Sequence, residues 1–226
     1  MEPEKNNMPW FVAGHMRPKV IVNCAMSADG KIASRLRKQV RLSDEADMAR
    51  VHRLRNECDA ILVGIGTVLA DDPSLLVKAK YVEEVRQPLR VVLDSKCRIP
   101  RNAKVLEPGS KTIVVATEGN AAEVPGAEVI SCGKERVDLR ELLERLHGMG
   151  IRSILIEGGG TTIWGFIKAG LVDEFKVFIS NRIIGGVQAP TPVNGEGFAE
   201  EEEFTQLKLK STKLSESGVL LEFEIE

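Results

Sequence analysis

Residues 153–164, Ser-Ile-Leu-Ile-Glu-Gly-Gly-Gly-Thr-Thr-Ile-Trp, set an acid and three glycines between an apolar run and a helical pattern. Ile154, Leu155 and Ile156 predict a buried strand. Gly158, Gly159 and Gly160 then leave bare backbone where the strand hands over to a helix beginning near Thr161. Backbone N–H groups at a helix N-terminus attract anions, phosphates above all. Glu157 beside them would repel a phosphate, so its carboxylate is expected to face a second ligand. The chemistry implied is a phosphate-bearing cofactor and a substrate meeting at one strand end. Taken alone, the segment is equally readable as a flexible glycine turn.

Residues 59–75, Asp-Ala-Ile-Leu-Val-Gly-Ile-Gly-Thr-Val-Leu-Ala-Asp-Asp-Pro-Ser-Leu, repeat the theme. The run 60–63 predicts a second short strand. Gly64 and Gly66 allow close backbone approach, and Thr67 adds a hydroxyl and an N–H. The third glycine of a dinucleotide fingerprint is replaced by Leu69, so an ordinary Rossmann site is not indicated. Asp71 and Asp72 could ligate a hard cation, but no third ligand stands at a matching spacing. With Pro73 following, turn and cap chemistry is the favoured reading, and no metal is expected.

These loops need strands and helices to hold them. Residues 19–26 predict a first strand ending in the turn Ser27-Ala-Asp-Gly30. Ser43 is the expected N-cap of a helix carrying Met48, Val51, Leu54 and Cys58 on one side. Residues 89–93, 112–116, 128–131 and 174–179 read as further strands. Leu139, Leu142, Leu143 and Leu146 follow helical spacing, stopped by Gly148 and Gly150. Ile163, Phe166 and Ile167 mark a short helix closed by Gly170. Residues 204–214 and 219–225 alternate with period two around Ser215-Glu-Ser-Gly218, which predicts a hairpin. The acidic run 200–203 reads as a solvated face. The expected fold is α/β: a mostly parallel central sheet, helices on both faces and a C-terminal antiparallel hairpin.

The chain has 226 residues, enough for one such domain over residues 17–226. A net charge of −2 gives no basis for expecting nucleic acid or an anionic membrane as partner. No apolar stretch is long enough to span a bilayer. Cys24, Cys58, Cys97 and Cys132 are widely spaced, as expected of reduced thiols in a cytoplasmic protein. Residues 1–16 are polar and read as a separate leader. They are either an expression remnant, with Gly14-His15-Met16 as the junction and Met16 the native start, or a natural disordered segment.

Four motifs stand in order: Met26-Ser-Ala-Asp-Gly-Lys-Ile-Ala33, residues 64–73, Val92-Leu-Asp-Ser-Lys96 and Glu157-Gly-Gly-Gly-Thr161. Together they resemble the riboflavin-biosynthesis reductase family, whose fold is dihydrofolate-reductase-like. The resemblance runs from about residue 19 to the C-terminus. The deaminase often fused to this reductase would show His-x-Glu and Pro-Cys-x-x-Cys, and neither occurs. The chain is therefore similar to the free-standing archaeal and fungal members. Their activity, implied for this chain, is reduction of 2,5-diamino-6-ribosylamino-4(3H)-pyrimidinone 5′-phosphate to its ribitylamino product with NADPH.

The resemblance implies that Thr67 and Asp71 contact the cofactor and that Gly158, Gly159, Gly160 and Thr161 cradle its pyrophosphate. Leu93, Asp94, Ser95 and Lys96 would lie near the adenosine ribose. Lys31 and Glu157 would be catalytic, facing the substrate, with Asp29, Ser74, Leu75 and Lys78 in its binding site. A homodimer is implied in the same way. Residues 34–41 depart from the family pattern. Arg35, Arg37, Lys38 and Arg41 either grip the substrate phosphate or face solvent.

Hydride from the nicotinamide would reach C1′ of the ribosylamine while a proton reaches the departing ring oxygen. Lys31 suits that acid or a phosphate anchor, and Glu157 suits the amino-pyrimidine N–H edge. An acid at position 94 would ordinarily bind the 2′-OH of NADH. Ser95, Lys96 and Arg98 supply donors and charge for a 2′-phosphate, so NADPH is expected, with NADH as the alternative. Two other readings remain: a related reductase of another pterin or pyrimidine, and a nucleotide-binding protein without catalysis.

Overall fold

The computed structural model describes residues 17–38 and 40–226. The leader expected over residues 1–16 lies outside the described residues. Nine strands form one sheet in the order β5-β4-β3-β2-β6-β1-β7-β9-β8. In chain order these are β1 (Lys19–Ser27), β2 (Ala60–Gly64), β3 (Leu89–Leu93), β4 (Thr112–Ala116), β5 (Glu128–Ser131), β6 (Ser153–Ile156), β7 (Glu174–Ser180), β8 (Leu207–Ser215) and β9 (Gly218–Ile225). Every pairing from β5 to β7 is parallel. β9 pairs antiparallel with β7, and β8 with β9.

Alternation along the strands divides the core in two. Val20, Val22, Ala60, Leu62, Ile154 and Ile156 point to one face. There they meet α3 (Leu139–Gly148) and α4 (Gly160–Lys168) through Leu142, Leu146, Ile163 and Phe166. Ile21, Ile61, Val63 and Leu155 point to the other face, against Ile65 and Val68 of α2 (Ile65–Asp71) and the end of α1 (Glu45–Glu57). Strands buried on both sides lose the polar alternation of surface strands, which is why 60–63 and 154–156 read as plain apolar runs.

The expected elements form, with local differences. Asp44, not Ser43, caps α1, and its carboxylate accepts from the Asp47 N–H at 2.8 Å. Ser43 sits one residue too early and instead donates its hydroxyl to Asp47. The α1 stripe also shifts. Asp47, Val51 and His52 are its buried residues, while Met48 and Leu54 are half-buried. α4 begins at Gly160, with Gly159 as its cap. Asp72 closes α2 in the left-handed region, φ 42°, and accepts from the Lys104 N–H. That is the capping role expected for this acidic pair.

Candidate active site

β2 and β6 are parallel neighbours, and β1 flanks β6 on its other side. Leu62 and Val22 both pair with Ile156. Two residues further on, Gly64, Gly158 and Cys24 therefore stand at one level, at the C-terminal strand ends where ligands of open α/β sheets bind. A cleft of about 760 Å³ opens there. Of the residues predicted from sequence, Thr67, Asp71, Lys78, Glu157, Gly158, Gly159 and Gly160 line it.

The glycines are required by space. Gly159 has φ 82°, a conformation L side chains rarely adopt. A Cβ on Gly158 would sit 3.1 Å from Thr67 Oγ1, and one on Gly160 would sit 2.8 Å from the Thr191 carbonyl oxygen. Gly64 N–H donates to the Gly158 carbonyl at 3.4 Å, so the two glycine-bearing strand ends touch. No side chain caps α4, which leaves its first N–H groups for another acceptor. This cradle fits a pyrophosphate. Asp71 lines the same cleft without a side-chain hydrogen-bond partner among the described residues, and burial raises its pKa.

Glu157 forms a two-pronged ion pair with Arg55, which the sequence reading missed. Arg55 Nε donates to Oε1 at 2.8 Å and Nη2 to Oε2 at 2.5 Å. Burial works against the Arg55 charge, yet the Glu157 carboxylate holds its pKa above the ordinary value. Arg55 Nη1 also reaches the Leu76 carbonyl at 3.3 Å. One turn earlier on α1, His52 Nδ1 accepts the Lys78 N–H at 3.3 Å, and its ring stacks on Tyr81 at 4.6 Å. Burial first, then the Arg55 charge, pushes the His52 pKa down to about 4. The irregular segment 73–78 is thus pinned from α1. Gln87 adds two bonds to Val77, and buried Arg90 donates to the Ser74 carbonyl.

Basic groups gather along another part of the cleft wall. Arg41, Lys78 and Lys80 line the cleft. Glu45 pairs with both Arg41 and Lys80, so Lys78 is the cation there without an acidic partner among the described residues. Arg35, Arg37 and Lys38 are exposed and do not line the cleft. Among the four bases of that segment, only Arg41 reaches it.

The other predicted residues stand apart from this wall. Lys31 lies in the turn after β1, next to cleft-lining Ile32, and its N–H bonds Ser27 Oγ. Asp29 accepts from Ser27 Oγ and from the N–H groups of Ile184 and Gly185. The first of these bonds does most to lower its pKa, to about 2. Its carboxylate is committed to fastening two loops. Leu75 has a buried side chain, Ser74 is half-buried, and neither lines the cleft. Thr161 is exposed beyond the cleft lining. Leu93 packs on the core. Asp94 is fully buried and turned inward, with Oδ2 accepting the Ile99 N–H at 2.8 Å. Lys96 is exposed in the turn after β3.

Residues 18–221 match the model of the RibD C-terminal domain. The chain belongs to this family. It is 48% identical over 198 residues to the 2,5-diamino-6-ribosylamino-4(3H)-pyrimidinone 5′-phosphate reductase of Archaeoglobus fulgidus, covering 82% of this chain and 90% of that one. The reductase of the same name from Methanothermobacter thermautotrophicus is 44% identical over 215 residues, covering 93% and 99%. Among solved structures, the Thermotoga maritima deaminase/reductase superposes with a TM-score of 0.78 at 28% identity. The match covers 92% of this chain and 57% of that two-activity chain. RibD membership makes the protein an oxidoreductase of riboflavin biosynthesis with the dihydrofolate-reductase-like fold.

Proposed function

We propose that this chain reduces 2,5-diamino-6-ribosylamino-4(3H)-pyrimidinone 5′-phosphate to its ribitylamino product with NADPH. The observation that carries the reading is one cleft that joins a glycine cradle to a wall of Arg41, Lys78 and the Glu157–Arg55 pair. The archaeal relatives named for this reaction support the choice of substrate. When bound, the nicotinamide supplies the hydride.

The chain's own residues have three tasks. The N–H groups at the start of α4, with Thr67 and Asp71 beside them, hold the cofactor at the cradle. Glu157 accepts from the amino-pyrimidine edge, and Lys78 takes the substrate phosphate with Arg41 near it. Lys31, with no ionic partner of its own among the described residues, donates the proton to the ring oxygen or anchors the phosphate from the rim. The inward turn of Asp94, which also holds Arg98 Nε at 3.6 Å, keeps its charge from a 2′-phosphate and leaves Ser95 and Lys96 to receive it. NADPH is therefore the reading over NADH. A cytoplasmic location accords with the four free cysteines; burial, the main cause, raises Cys24 and Cys58 to about 12. A homodimer completes the reading.

The test is oxidation of NADPH, followed at its absorbance band, with the diaminopyrimidine substrate. Turnover that also converts the pyrimidine to its ribitylamino form supports the assignment. NADPH oxidation only with another pterin or pyrimidine would transfer the chain to a different substrate. Cofactor binding with no turnover on any of these would make it a binding protein.

A further inference from the structure

We propose that the turn of residues 33–38, together with Arg182, is a capture surface for phosphate-bearing ligands: it draws them to the cleft mouth and does not touch them once they are bound. The proposal rests on the reading of the cleft as a site for two such ligands. Residues 30–43 contain Lys31, Arg35, Arg37, Lys38 and Arg41 and no acid. The loop after β7, residues 181–188, adds Arg182, again with no acid. The whole chain carries 33 acids against 31 bases, so the excess is local. Elsewhere, exposed cations such as Arg145, Lys168 and Lys210 pair with carboxylates. Arg35, Arg37, Lys38 and Arg182 are exposed and have no ion-pair partner among the described residues.

The backbone holds these charges at the cleft rim. Ile32 and Val40, which flank the turn, both line the cleft. Ser34 N–H donates to the Lys38 carbonyl at 3.2 Å, and Arg37 N–H to the Ser34 carbonyl at 2.8 Å. Arg37 takes φ 58°, so the chain reverses within the segment and carries its three bases at the tip. A Cβ on Gly186 would sit 3.7 Å from that of Arg35, so the turn rests on the loop after β7. From that loop Arg182 Nη1 donates to the Arg41 carbonyl at 2.9 Å. The acids that adjoin the rim are engaged: Asp29 by Ser27, Ile184 and Gly185, and Glu45 by Arg41 and Lys80.

Arg35, Arg37 and Lys38 do not line the cleft, so a ligand seated there leaves them in water. Their reach is electrostatic. Three residues of chain span at most about 11 Å, which places Arg37 within about one Debye length of Val40 at about 0.1 M salt. Charge of one sign beside a low-dielectric cleft concentrates counter-ions at its mouth and speeds their association by about 10- to 1,000-fold. Both proposed ligands are such counter-ions, the cofactor through its pyrophosphate and the substrate through its phosphate monoester. A surface charged only for solubility mixes the two signs, and this one does not. Past the rim, Lys78 and the glycine cradle receive the phosphates.

Stopped-flow fluorescence of NADPH binding to the full chain separates association from dissociation, from about 0.02 to about 0.5 M salt. Arg35→Gln, Arg37→Gln and Lys38→Gln together should slow association about tenfold at the low end and match the wild type at the high end. Dissociation and kcat should be unchanged. Arg37→Asn alone, which suits a left-handed backbone, should show a smaller loss of the same sign and keeps the test valid if the triple variant does not fold. Lys111→Gln removes an exposed charge just before β4, at the opposite end of the parallel sheet from the cleft, and should change association far less than Arg37→Asn. Association at low salt that ignores the three bases overturns the proposal and makes the turn a solvated face. Faster dissociation that persists at high salt overturns it too, because the bases then grip the bound ligand. So does an equal loss in Lys111→Gln, which would reduce the effect to net charge. A wild type that does not bind NADPH sinks the cofactor reading and the rim with it. Association that behaves as expected, without turnover of the diaminopyrimidine, leaves the rim standing while the proposed reaction fails.

Discussion

Glu157 and Arg55 hold each other through two hydrogen bonds at the cleft wall, with side chains 8% and 17% exposed. Such a pair contributes little net stability, but removing one partner strands the other charge and costs about 3–5 kcal/mol. Glu157→Gln is therefore expected to have two effects. Turnover should fall about 10²-fold or more, since the carboxylate acceptor is lost. The melting temperature should also fall, by about 2–4 °C for each kcal/mol in a chain of this size. NADPH affinity should change little, because the carboxylate is turned to Arg55 and not to the cradle. Full turnover with poor NADPH binding would reverse the placement of the two ligands. At Gly159 the backbone itself carries the role. Gly159→Ala should cost about 1–2 kcal/mol for the left-handed conformation and weaken NADPH binding, read by titration. Normal binding in a folded variant would reduce the triple glycine to a structural turn. Glu157 and the glycines were legible in the sequence because their types and order carry the chemistry. Arg55 was not, because Arg50, Arg53 and Arg55 lie within six residues, and only the packed helix shows Arg50 bonded to Asp47 and Asn23 and Arg53 exposed.

Among the elements, α1 gives Glu45 and Met48 to the cleft lining and pins the segment beside it through Arg55 and His52. Its cap, Asp44, also accepts from the Ser215 and Ser217 hydroxyls, so one carboxylate ties the helix start to the β8–β9 turn. Burial alone would raise the Asp44 pKa; the bonds from Ser215, Asp47 N–H and Ser217 bring it down to about 2. The stability from a lowered carboxylate is present above about pH 4 and lost as pH falls through 2. Asp44→Ala should cost about 1–2 kcal/mol at pH 7 and remove that acid-side slope. His52 acts with the opposite charge. Its folded pKa of about 4 lies below the unfolded value of about 6.5. The unfolded chain therefore binds a proton that the native state refuses, and stability falls from about pH 6.5 down to about 4 by roughly 3 kcal/mol. His52→Phe should flatten this interval in denaturant melts at pH 4.5 and 7.5. An unchanged slope would show that His52 titrates normally. The sequence predicted α1 from Val51 and its neighbours but set its cap one residue early, because Ser43 and Asp44 are both good caps. It also put Met48, Val51, Leu54 and Cys58 together on one side. A helix that lays one flank over a ligand cleft buries Asp47 and His52, and leaves Met48 facing the opening.

At the scale of the whole molecule, parallel strands and the closing hairpin were legible because their patterns differ: apolar runs where both faces are covered, strict alternation where one is not. Strand order was not legible. Period and turn residues say nothing about β6 lying between β2 and β1, the arrangement that brings residues 64 and 158 together. The same gap explains Asp94. Sequence placed it correctly at the end of β3, but the carboxylate turns inward because the following turn leaves the Ile99 N–H to be satisfied in the core. That inward turn gives cofactor choice a test that needs no turnover. A ligand that binds only the native state stabilises it by about 2.7 kcal/mol at a hundredfold excess over its dissociation constant. Over 226 residues that is a rise of several degrees in melting temperature. NADPH should produce this rise in the wild type. Lys96→Glu places a negative charge where the 2′-phosphate is expected and removes a charge-assisted contact worth about 1.5–3 kcal/mol, so the NADPH shift should shrink by a degree or more. The NADH shift, lacking that phosphate, should stay within error of the wild type. Equal losses for both cofactors would move the 2′-phosphate away from the Ser95–Arg98 turn, and a larger NADH than NADPH shift in the wild type would assign the chain to NADH.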